Sequence, residues 1–415
     1  MQNKDTLREM IMITFLALTF AVFMSANPHI YARPFVRDTS LNVDPTVEGL
    51  SSPTGMAFLD NNNILVLEKE GSVRLVSNDI LQEEPVLQVK VNHSIERGLL
   101  GIAITNGSTT NGGQDRDVFL FYTEADPLRD RVYKYRWDGQ SLVNPTLILD
   151  LPAEPWPNHH GGKLLIGPDG YLYAVIGDLN HQGQLQNFRG GSLPDDTGVI
   201  FRVNPDDGSA AADNPFANGK GGEASDLLSR YYAYGVRNSF GMDFDPLTSN
   251  LWNTENGDKS YDEINLVMPG FNSGWKQIMG PISLNGGPRV GLVNFPGSQY
   301  ADPLFSWRDP VAPTDLEFFS SSRLGDEYTN GIFVGDITKG NLYFFEVNGK
   351  RDGINLDAVQ QQESGLTDFV VDTEEELSAV TFGREFGGIT DIETGPDGFL
   401  YILSFGNGII YKISK

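Results

Sequence analysis

A short pattern that recurs along the chain constrains its fold more than any other feature of the sequence. Each copy has a short apolar strand, a turn rich in Asp, Asn, Gly or Pro, and a second strand that alternates apolar and polar positions. The copies begin at Gly55, Gly98, Lys163, Gly241, Gly331 and Ile389. One copy cannot bury both faces of its sheet, so the copies must pack on one another, and radial packing with ring closure gives a propeller. The sequence therefore predicts an all-β fold, a six-bladed β-propeller of four-stranded antiparallel blades.

Long segments between the strands are expected to form the binding end of this fold. The copies are spaced more widely than the ~40–45 residues of a compact propeller repeat. Three intervening segments are rich in Gly, Pro and Asn and poor in periodicity: His181 to Pro194, Asp206 to Leu228 and Ile278 to Pro313. In a propeller such loops lie at one end of the central channel, where ligands bind. Because no linker interrupts the pattern, we expect one domain over residues 40–415.

The balance of charges argues against a nucleic-acid partner. The chain has 55 acidic and 30 basic residues and a formal net charge of −25, which repels phosphate backbones. Surplus carboxylates favour hard cations such as calcium, although they also serve as an ordinary solvated surface. The chain has no cysteine, which excludes disulfides, thiolate zinc sites and cysteine nucleophiles.

The first 32 residues have the composition of a targeting segment. Lys4 and Arg8 precede an apolar run over residues 10–24, and Ala26 and Ala32 follow it as candidate cleavage sites. The run is shorter than the ~20 residues that span a bilayer. We therefore predict a signal peptide or N-terminal anchor at residues 1–32, a location outside the cytoplasm, and no further contact with a membrane.

A histidine pair beside two glycines is the first candidate for chemistry. His159 and His160 stand directly before Gly161 and Gly162, which let the chain turn so that one imidazole projects from the start of a strand. A projecting histidine is a candidate general base, since its reference pKa of about 6.5 lets it accept a proton near neutral pH. The alternative is a turn histidine that is hydrogen-bonded to a loop carbonyl.

Arg237 and Asn238 form the second candidate site. They lie between Gly235 and Gly241, where a strand is about to begin. An arginine in this position can stabilise a developing anion or hold a carboxylate with two parallel hydrogen bonds. The alternative is a structural arginine that caps carbonyls between blades.

The third candidate is an acidic loop around Gly257. It carries oxygen ligands of the type that calcium prefers, at a spacing that differs from an EF-hand. The alternative is an acidic turn without an ion. The oxygen-bearing side chains are those of Glu255, Asn256, Asp258, Asp262 and Glu263.

Six motifs in the same order resemble the soluble quinoprotein glucose/sorbosone (aldose sugar) dehydrogenase family. They are GLLGIA at Gly98, the HGGKL segment that leads into GPDG, YG-x-RN, the ENG…DEINL run with its following GW, VAP at Val311, and the final DI-x-x-GPDG-x-LY. The resemblance extends from about Gly49 to Lys415. It implies a six-bladed propeller that binds pyrroloquinoline quinone (PQQ) and calcium and oxidises aldose sugars at the anomeric carbon.

The same resemblance implies roles for individual residues. His159 matches the family's catalytic base, and Arg237 matches the arginine beside the quinone. Glu96, Asn238, Asn256 and Asp262 match polar residues around the cofactor. Gly257 and Asp258 match the pair whose backbone carbonyls bind calcium. In the implied mechanism, His159 removes the proton of the anomeric hydroxyl while a hydride passes to the quinone, calcium polarises the quinone carbonyl, and Arg237 stabilises the resulting oxyanion.

The chain departs from the family where cations hold the quinone carboxylates. Gly388 and Thr390 stand where the family tends to have two arginines, and Thr338 stands where it tends to have a lysine. Each lost charge-assisted hydrogen bond costs ~1.5–3 kcal/mol of cofactor binding. Lys339, Arg323 and Arg384 are the candidates to replace these cations.

Two further functions remain compatible with the sequence. One is a quinone-free, calcium-stabilised propeller that binds carbohydrate or protein. The other is a calcium-dependent hydrolase of the lactonase type, because a propeller channel can hold a cation and a base together.

Overall fold

The computed structural model describes residues 33–105, 116–217, 219, 222, 225–284, 291–356 and 365–415. Residues Pro34–Lys415 form one compact unit. The predicted leader, residues 1–32, lies outside the described residues. Within the described ranges, no helix is long and apolar enough to cross a membrane.

The strands of the described residues form six sheets, numbered here 1 to 6 around the molecule. Sheet 1 contains β3 (Pro53–Phe58), β4 (Asn63–Glu68), β5 (Ser72–Ser77), β6 (Ile80–Leu81) and β7 (Leu87–Gln88). Sheet 2 contains β8 (Leu99–Ile104), β9 (Arg116–Ala125), β10 (Leu128–Trp137) and β11 (Leu142–Leu151). Sheet 3 contains β12 (Leu164–Ile166), β13 (Leu172–Ile176), β14 (Val199–Val203), β15 (Tyr231–Tyr234), β19 (Phe271–Asn272) and β20 (Gln299–Tyr300).

The second half of the chain supplies the other three sheets. Sheet 4 contains β16 (Met242–Phe244), β17 (Leu251–Glu255), β18 (Asp262–Val267), β21 (Phe305–Trp307) and β26 (Val370–Val371). Sheet 5 contains β1 (Phe35–Val36), β22 (Pro313–Phe318), β23 (Ile332–Asp336), β24 (Leu342–Val347), β25 (Ile354–Asn355) and β27 (Thr381–Arg384). Sheet 6 contains β2 (Asn42–Glu48), β28 (Ile389–Thr394), β29 (Leu400–Ser404) and β30 (Ile409–Ser414).

Helices are short and lie between strands. They are α1 (Ser225–Leu228), α2 (Glu374–Val380) and the 3₁₀ turns Gln184–Gln186 and Asp326–Tyr328. Thr373 and Glu376 form a capping box at the start of α2, each side chain bonding the backbone N–H of the other residue.

Apolar contacts between neighbouring sheets make up the core. Middle strands such as β13, with the sequence LYAVI, are buried along their whole length because other sheets cover both of their faces. Six apolar clusters each join one sheet to the next, and the last joins sheet 6 back to sheet 1. The first strands of the sheets also contact one another around the centre, with β28 against β3. This is a β-propeller arrangement, as the repeated pattern predicts.

The composition of the sheets differs from the prediction of four antiparallel strands. The sheets have four to six strands, and the extra strands β19, β20 and β26 pair in parallel. These strands come from long connections rather than from hairpins, so their direction is not tied to that of a neighbour. The segment Ile278 to Pro313, expected to be a loop, contributes β20 and the buried β21.

The copy of the pattern at Gly331 also begins one strand later than expected. It covers β23 and β24, and the first strand of sheet 5 is β22. The connection between β22 and β23, residues 319–331, lacks the tight Asp-Gly turn that marks the hairpins at Gly170 and Gly398, where φ is +80° and +82°.

Strands from both halves of the sequence close the ring. β2 pairs antiparallel with β30, so that Asn42 lies opposite Ser414 and Glu48 opposite Ile409. β1 pairs with β27 in sheet 5 in the same antiparallel sense. The N-terminal strands of the compact unit therefore complete two sheets that are otherwise built from its last third.

Candidate active site

A cavity of about 360 Å³ opens at the end of the channel where the inner strands begin. Three of the residues singled out in the sequence line it, namely Glu96, Asn238 and Asn256. Its remaining wall is mostly apolar or neutral and includes Leu100, Ile102, Phe240, Thr314, Ile337, Thr390 and Phe405. The space has room for a small organic ligand with a few polar contacts.

His159 lies in the loop before β12, with a backbone φ of +65°. Gly161 of the same loop lines the cavity, whereas the side chains of His159 and Arg237 do not. Its Nδ1 is 2.5 Å from Oδ1 of Asp178, and the residue is 6% exposed. A carboxylate oxygen accepts, so Nδ1 carries the proton and Nε2 is the basic nitrogen. Among the described residues Nε2 has no hydrogen-bond partner, which leaves it available to a ligand.

Asp178 is held by two further donors. Trp275 Nε1 donates to Oδ2 at 2.6 Å, and the backbone N–H of Asn180 donates to Oδ1 at 2.8 Å. The carboxylate therefore has a fixed position and in turn fixes the plane of the His159 ring. Sequence reasoning missed this residue, although its place at the end of the buried β13, in the sequence AVIGD, was a usable signal.

Glu96 fixes the backbone of the histidine loop. Its Oε2 accepts the backbone N–H of His159 at 2.6 Å and the side-chain Nδ2 of Asn238 at 3.0 Å. Its own N–H donates to the carbonyl of Pro157 at 3.1 Å. One carboxylate thus joins the loop of the proposed base to the loop of Arg237, and two of the predicted residues meet at Glu96.

Arg237 contacts both the acidic loop and Trp275. Its Nη1 donates to the carbonyl of Asn256 at 2.9 Å, its Nη2 is 3.6 Å from Oδ1 of Asp258, and its Cζ lies 5.2 Å from the centre of the Trp275 ring. The Arg237 carbonyl accepts the N–H of Asp178 at 2.8 Å. The structure therefore brings His159 and Arg237, which are far apart in sequence, into contact with the same residue, Asp178.

Gly177 shows how closely these loops approach. A Cβ at this position would lie 2.4 Å from the His159 carbonyl oxygen and 2.6 Å from that of Arg237. Only glycine leaves room for both backbones, so this position is required for the two loops to meet.

Three buried polar atoms around the cavity lack a hydrogen-bond partner within the described part of the chain. They are Oδ1 of Asn238, Oδ1 of Asn256 and Nε of Arg237. The bond from Asn238 Nδ2 to Glu96 fixes which way the Asn238 amide points. Each of these atoms keeps its hydrogen-bonding capacity free for a ligand or a water molecule.

Asp262 lies beneath the acidic loop. Its Oδ1 accepts the N–H of Gly257, and its Oδ2 accepts the N–H groups of Val311 and Ala312, each at 2.7 Å. Burial raises the pKa of Asp262 to about 6, against the lowering effect of these three bonds. Asp262 therefore anchors the loop by accepting the backbone N–H of Gly257, while Gly257 and the exposed Asp258 form the turn.

The other two acidic side chains of this loop point into the protein. Glu255 and Glu263 lie opposite each other on β17 and β18. Glu255 accepts the N–H of Arg237 at 2.7 Å and the hydroxyl of Ser273 at 2.6 Å, and burial raises its pKa to about 7. Burial is also the main cause that raises the pKa of Glu263, and repulsion from Glu255 raises it further. Among the described residues, no group of three or more His, Asp or Glu side chains has the arrangement of a metal site.

The family resemblance places cations at positions 338, 388 and 390, where this chain has none. Among the described residues that line the cavity next to these positions, Ile337 and Thr390, none is an arginine or a lysine. Thr390 lines the cavity and donates to the carbonyl of Pro53 at 2.8 Å, whereas Gly388, at φ +85°, has no side chain to offer. Thr338 is exposed to solvent. The three candidate replacements contact other groups: Lys339 lies 3.8 Å from Glu374, Arg384 bonds Ser378, and Arg323 lies over Phe399.

Two lysines do line the cavity, and sequence reasoning missed both. Lys163 lies 2.8 Å from Asp315 and 2.7 Å from Asp391. Although burial lowers the pKa of Lys163, these carboxylates outweigh that effect and hold it well above its usual value. Lys69 donates to the carbonyl of Ile95, and burial lowers its pKa. In the sequence, Lys163 appears as the start of one copy of the recurring pattern and within the HGGKL motif, without a role of its own.

Comparison with known proteins connects this geometry to a family. The family model described as Glucose / Sorbosone dehydrogenase matches residues 50–412. The chain is 28% identical to aldose sugar dehydrogenase YliI of Escherichia coli over 386 residues, which cover 90% of this chain and 93% of that protein.

Solved structures show the same fold. A putative oxidoreductase (glucose dehydrogenase) from Thermus thermophilus aligns with a TM-score of 0.70 and 28% identity, over 90% of this chain and 99% of that one. The PQQ-bound aldose sugar dehydrogenase of Streptomyces coelicolor aligns with a TM-score of 0.66 and 23% identity, over 92% and 99%.

Proposed function

The chain belongs to the glucose/sorbosone dehydrogenase family, a family of sugar dehydrogenases, and from this premise we propose that it oxidises an aldose sugar at the anomeric carbon. In this proposal each of the six sheets is one blade, and the reaction takes place at the mouth of the channel. His159 is the general base, and Arg237 is the cationic residue beside the reacting oxygen.

The observation that carries the proposal is the buried contact between His159 and Asp178. Asp178 keeps the proton on Nδ1, so that Nε2 can accept the proton of the anomeric hydroxyl as the C–H bond gives up its hydride. Loss of one proton and one hydride converts the aldose to its lactone. The imidazolium that forms is stabilised by the adjacent carboxylate, which Trp275 and Asn180 hold in position.

The residues around the cavity fit PQQ at the polar end. Asn238, Asn256 and Arg237 carry the three unpaired buried atoms there, and we propose that they bind the polar edge of the cofactor together with Glu96. When bound, PQQ supplies the acceptor for the hydride. Lys163 and Lys69 are the cations that line the cavity, and they would stand in for the family's clamp toward the carboxylates. Because both already have partners, we expect binding weaker than in relatives with an arginine clamp.

Calcium fits the loop after β17. The proposed ligands are the backbone carbonyls of Gly257 and Asp258. Both are hard oxygen donors, the type that calcium prefers. Asp262 is proposed to contribute indirectly, by holding the N–H of Gly257.

Reconstitution tests the function directly. Purified protein incubated with PQQ and calcium should reduce an artificial dye when an aldose is added, and His159→Gln should lower kcat by ~10²–10⁴-fold with little change in melting temperature. A fully active His159→Gln variant would rule out the proposed base. A large loss of stability with unchanged turnover would instead make His159 a structural turn residue.

A second function is favoured by the cation-poor wall at Ile337, Thr390 and Phe405. A propeller that has lost the quinone would bind carbohydrate or protein at the same mouth without redox chemistry. Calorimetry separates the two: if PQQ does not bind in the presence of calcium while sugars do, the binding function replaces the dehydrogenase.

We also propose that residues 1–32 direct export. Their charged start and short apolar run support a signal peptide. Mass spectrometry of exported protein should find a new N-terminus near Ala26 or Ala32, and an intact Met1 on a cytoplasmic protein would contradict export.

A further inference from the structure

A second cavity of about 360 Å³ lies on the outer side of the histidine–aspartate pair. Asp178 and Trp275 line it, so it borders the groups that orient His159. Its outer wall is formed by Trp156 and by the polar side chains of Asn180 and Gln182. We call this space the outer groove.

Trp156 has an unusual position for a tryptophan. Its side chain is 56% exposed, whereas the other four tryptophans of the chain, all within the described ranges, are buried. Its backbone is nevertheless held firmly, because its carbonyl accepts from His160 Nε2 at 3.2 Å and from Arg97 Nη2 at 3.4 Å. An open indole on an anchored backbone is an effective binding surface, since tryptophan offers a large contact area with only two side-chain torsions to order.

The rest of the outer groove consists of the neutral amides of Asn180 and Gln182, the cationic Lys276, and His181, whose Nε2 lies 2.8 Å from Asp195. The side chains of Asn180 and Gln182 are exposed and have no partner within the described part of the chain. Gln182 also lines an adjoining cavity of about 440 Å³, which Gln277 and Arg189 border. The groove therefore continues outward from Asp178 and exceeds the size of one sugar ring.

The floor of the groove is rigid. Asn187 is fully buried and donates to the Asn272 side chain at 3.0 Å and to the Trp275 carbonyl at 2.7 Å. The N–H of Lys276 donates to the carbonyl of Gln186 at 2.9 Å. These bonds join the two loops that form the groove, so a ligand would bind with little cost of ordering them.

We propose that the outer groove is a carbohydrate subsite, in which Trp156 stacks on the second sugar unit of a reducing oligosaccharide whose reducing end is at His159. This rests on the proposed function, which places the anomeric carbon beside Nε2. An open aromatic face flanked by neutral amides suits the apolar face and hydroxyl edge of a neutral sugar. A dehydrogenase with this subsite would prefer short oligosaccharides to monosaccharides.

Paired kinetics test the subsite. In protein reconstituted with PQQ and calcium, Trp156→Ala should lower kcat/KM for maltotriose or cellotriose about tenfold more than for glucose, the scale of one aromatic contact. Trp156→Phe keeps a ring and should recover most of this preference. The matched control is Phe35→Ala, because Phe35 is 51% exposed on the short β1 of sheet 5. This variant should leave kcat/KM unchanged for both the trisaccharide and glucose.

Binding to protein without PQQ separates this proposal from the dehydrogenase itself. Calorimetry should give a dissociation constant for the better trisaccharide that weakens about tenfold in Trp156→Ala and also weakens in Gln182→Ala. If glucose is oxidised and Trp156→Ala affects all sugars equally, the subsite is wrong and the function stands. If no sugar is oxidised but trisaccharide binding still depends on Trp156, the subsite stands and the dehydrogenase fails. A lowered melting temperature with unchanged binding would make Trp156 a packing residue and overturn the subsite.

Discussion

At the scale of single residues, Asp178 shows how one carboxylate sets the orientation and the tautomer of a histidine. Its two oxygens accept from the His159 ring, Trp275 and Asn180, so the imidazole has one orientation and one tautomer. An asparagine of the same shape can present its NH₂ group to Nδ1, which would then have to accept and leave the proton on Nε2.

We therefore expect Asp178→Asn to lower kcat substantially, by ~10²–10⁴-fold as for loss of the base itself, and to change KM little. Steady-state kinetics with the reconstituted enzyme, together with circular dichroism to verify folding, measure both. Asp309→Asn, an exposed aspartate, is the matched control. Wild-type turnover by a folded Asp178→Asn variant would show that the tautomer of His159 is unimportant.

Several residues of the site could be predicted from the sequence, and others could not. Glycines before a strand pointed to His159 and Arg237 because positive φ and tight turns leave a sequence trace. Asp178 follows the buried strand β13 and Trp275 ends the FNSGW segment, but their role depends on contacts between segments far apart in the chain, which the sequence does not show. The acidic loop was interpreted as one set of ligands, yet alternation along β17 and β18 places Glu255 and Glu263 inside the protein.

At the scale of elements, the loop between β17 and β18 depends on Asp262 and on the proposed calcium. A ligand that binds only the folded state stabilises it, by ~2.7 kcal/mol at a hundredfold excess over Kd. Exhaustive chelation should therefore lower the melting temperature by several degrees, and added calcium should restore it more fully than magnesium. Identical melting curves with and without chelator would remove calcium from the proposal.

The inner strands β16, β22 and β28 carry a second group of acids below the cavity. Burial raises the pKa of Asp243 to about 6 and that of Glu393 to about 8, and it raises that of Glu317 well above its usual value. For Glu393 the next cause is repulsion from Asp391, and Lys163 opposes the shift. These acids therefore keep their protons to a higher pH in the folded protein than in the unfolded chain.

A raised pKa means that the unfolded state loses its proton first, so stability falls as pH rises from about 4.5 to about 8. We expect urea denaturation to show this decline, and Glu393→Gln to make it shallower by removing one titrating group. Glu346→Gln, an exposed glutamate on β24, should leave the slope unchanged. A Glu393→Gln variant with the slope of the wild type would show that Glu393 ionises normally.

The strands themselves were predictable because alternation and Asp-Gly turns are local signals. The short parallel strands β19, β20 and β26 were not, because two-residue pairings carry no periodicity. β22 was missed as the start of a sheet for another reason: no tight Asp-Gly turn connects it to β23, and the pattern was recognised only at the hairpin that follows it.

At the scale of the whole molecule, the propeller depends on closure through β2. Val47 is 3% exposed in the cluster between sheets 6 and 1, and Val36 and Leu41 pack in the cluster between sheets 5 and 6. Burial of each such side chain contributes ~1.5–3 kcal/mol, against ~5–15 kcal/mol for an entire domain.

Removal of residues 34–48 should therefore cost ~3–5 kcal/mol, which lowers the melting temperature of a unit of this size by about 5 °C, and should abolish activity although no site residue is lost. Differential scanning calorimetry and dye reduction measure the two effects. The double substitution Asp44→Asn and Glu48→Gln, at positions of β2 outside the apolar clusters, is the control. A truncated protein that melts like the full chain would show that closure contributes little.

The pairing of Asn42–Glu48 with Ile409–Ser414 also has a consequence for folding and assembly. The two strands meet only after the intervening chain has collapsed, so an open ring with a bare edge at β30 precedes the native state. The β2 of a second copy can add to that edge with the same hydrogen bonds, because the two segments are identical in both copies. Refolding at high protein concentration should therefore produce strand-exchanged dimers, whereas dilute refolding favours the closed monomer.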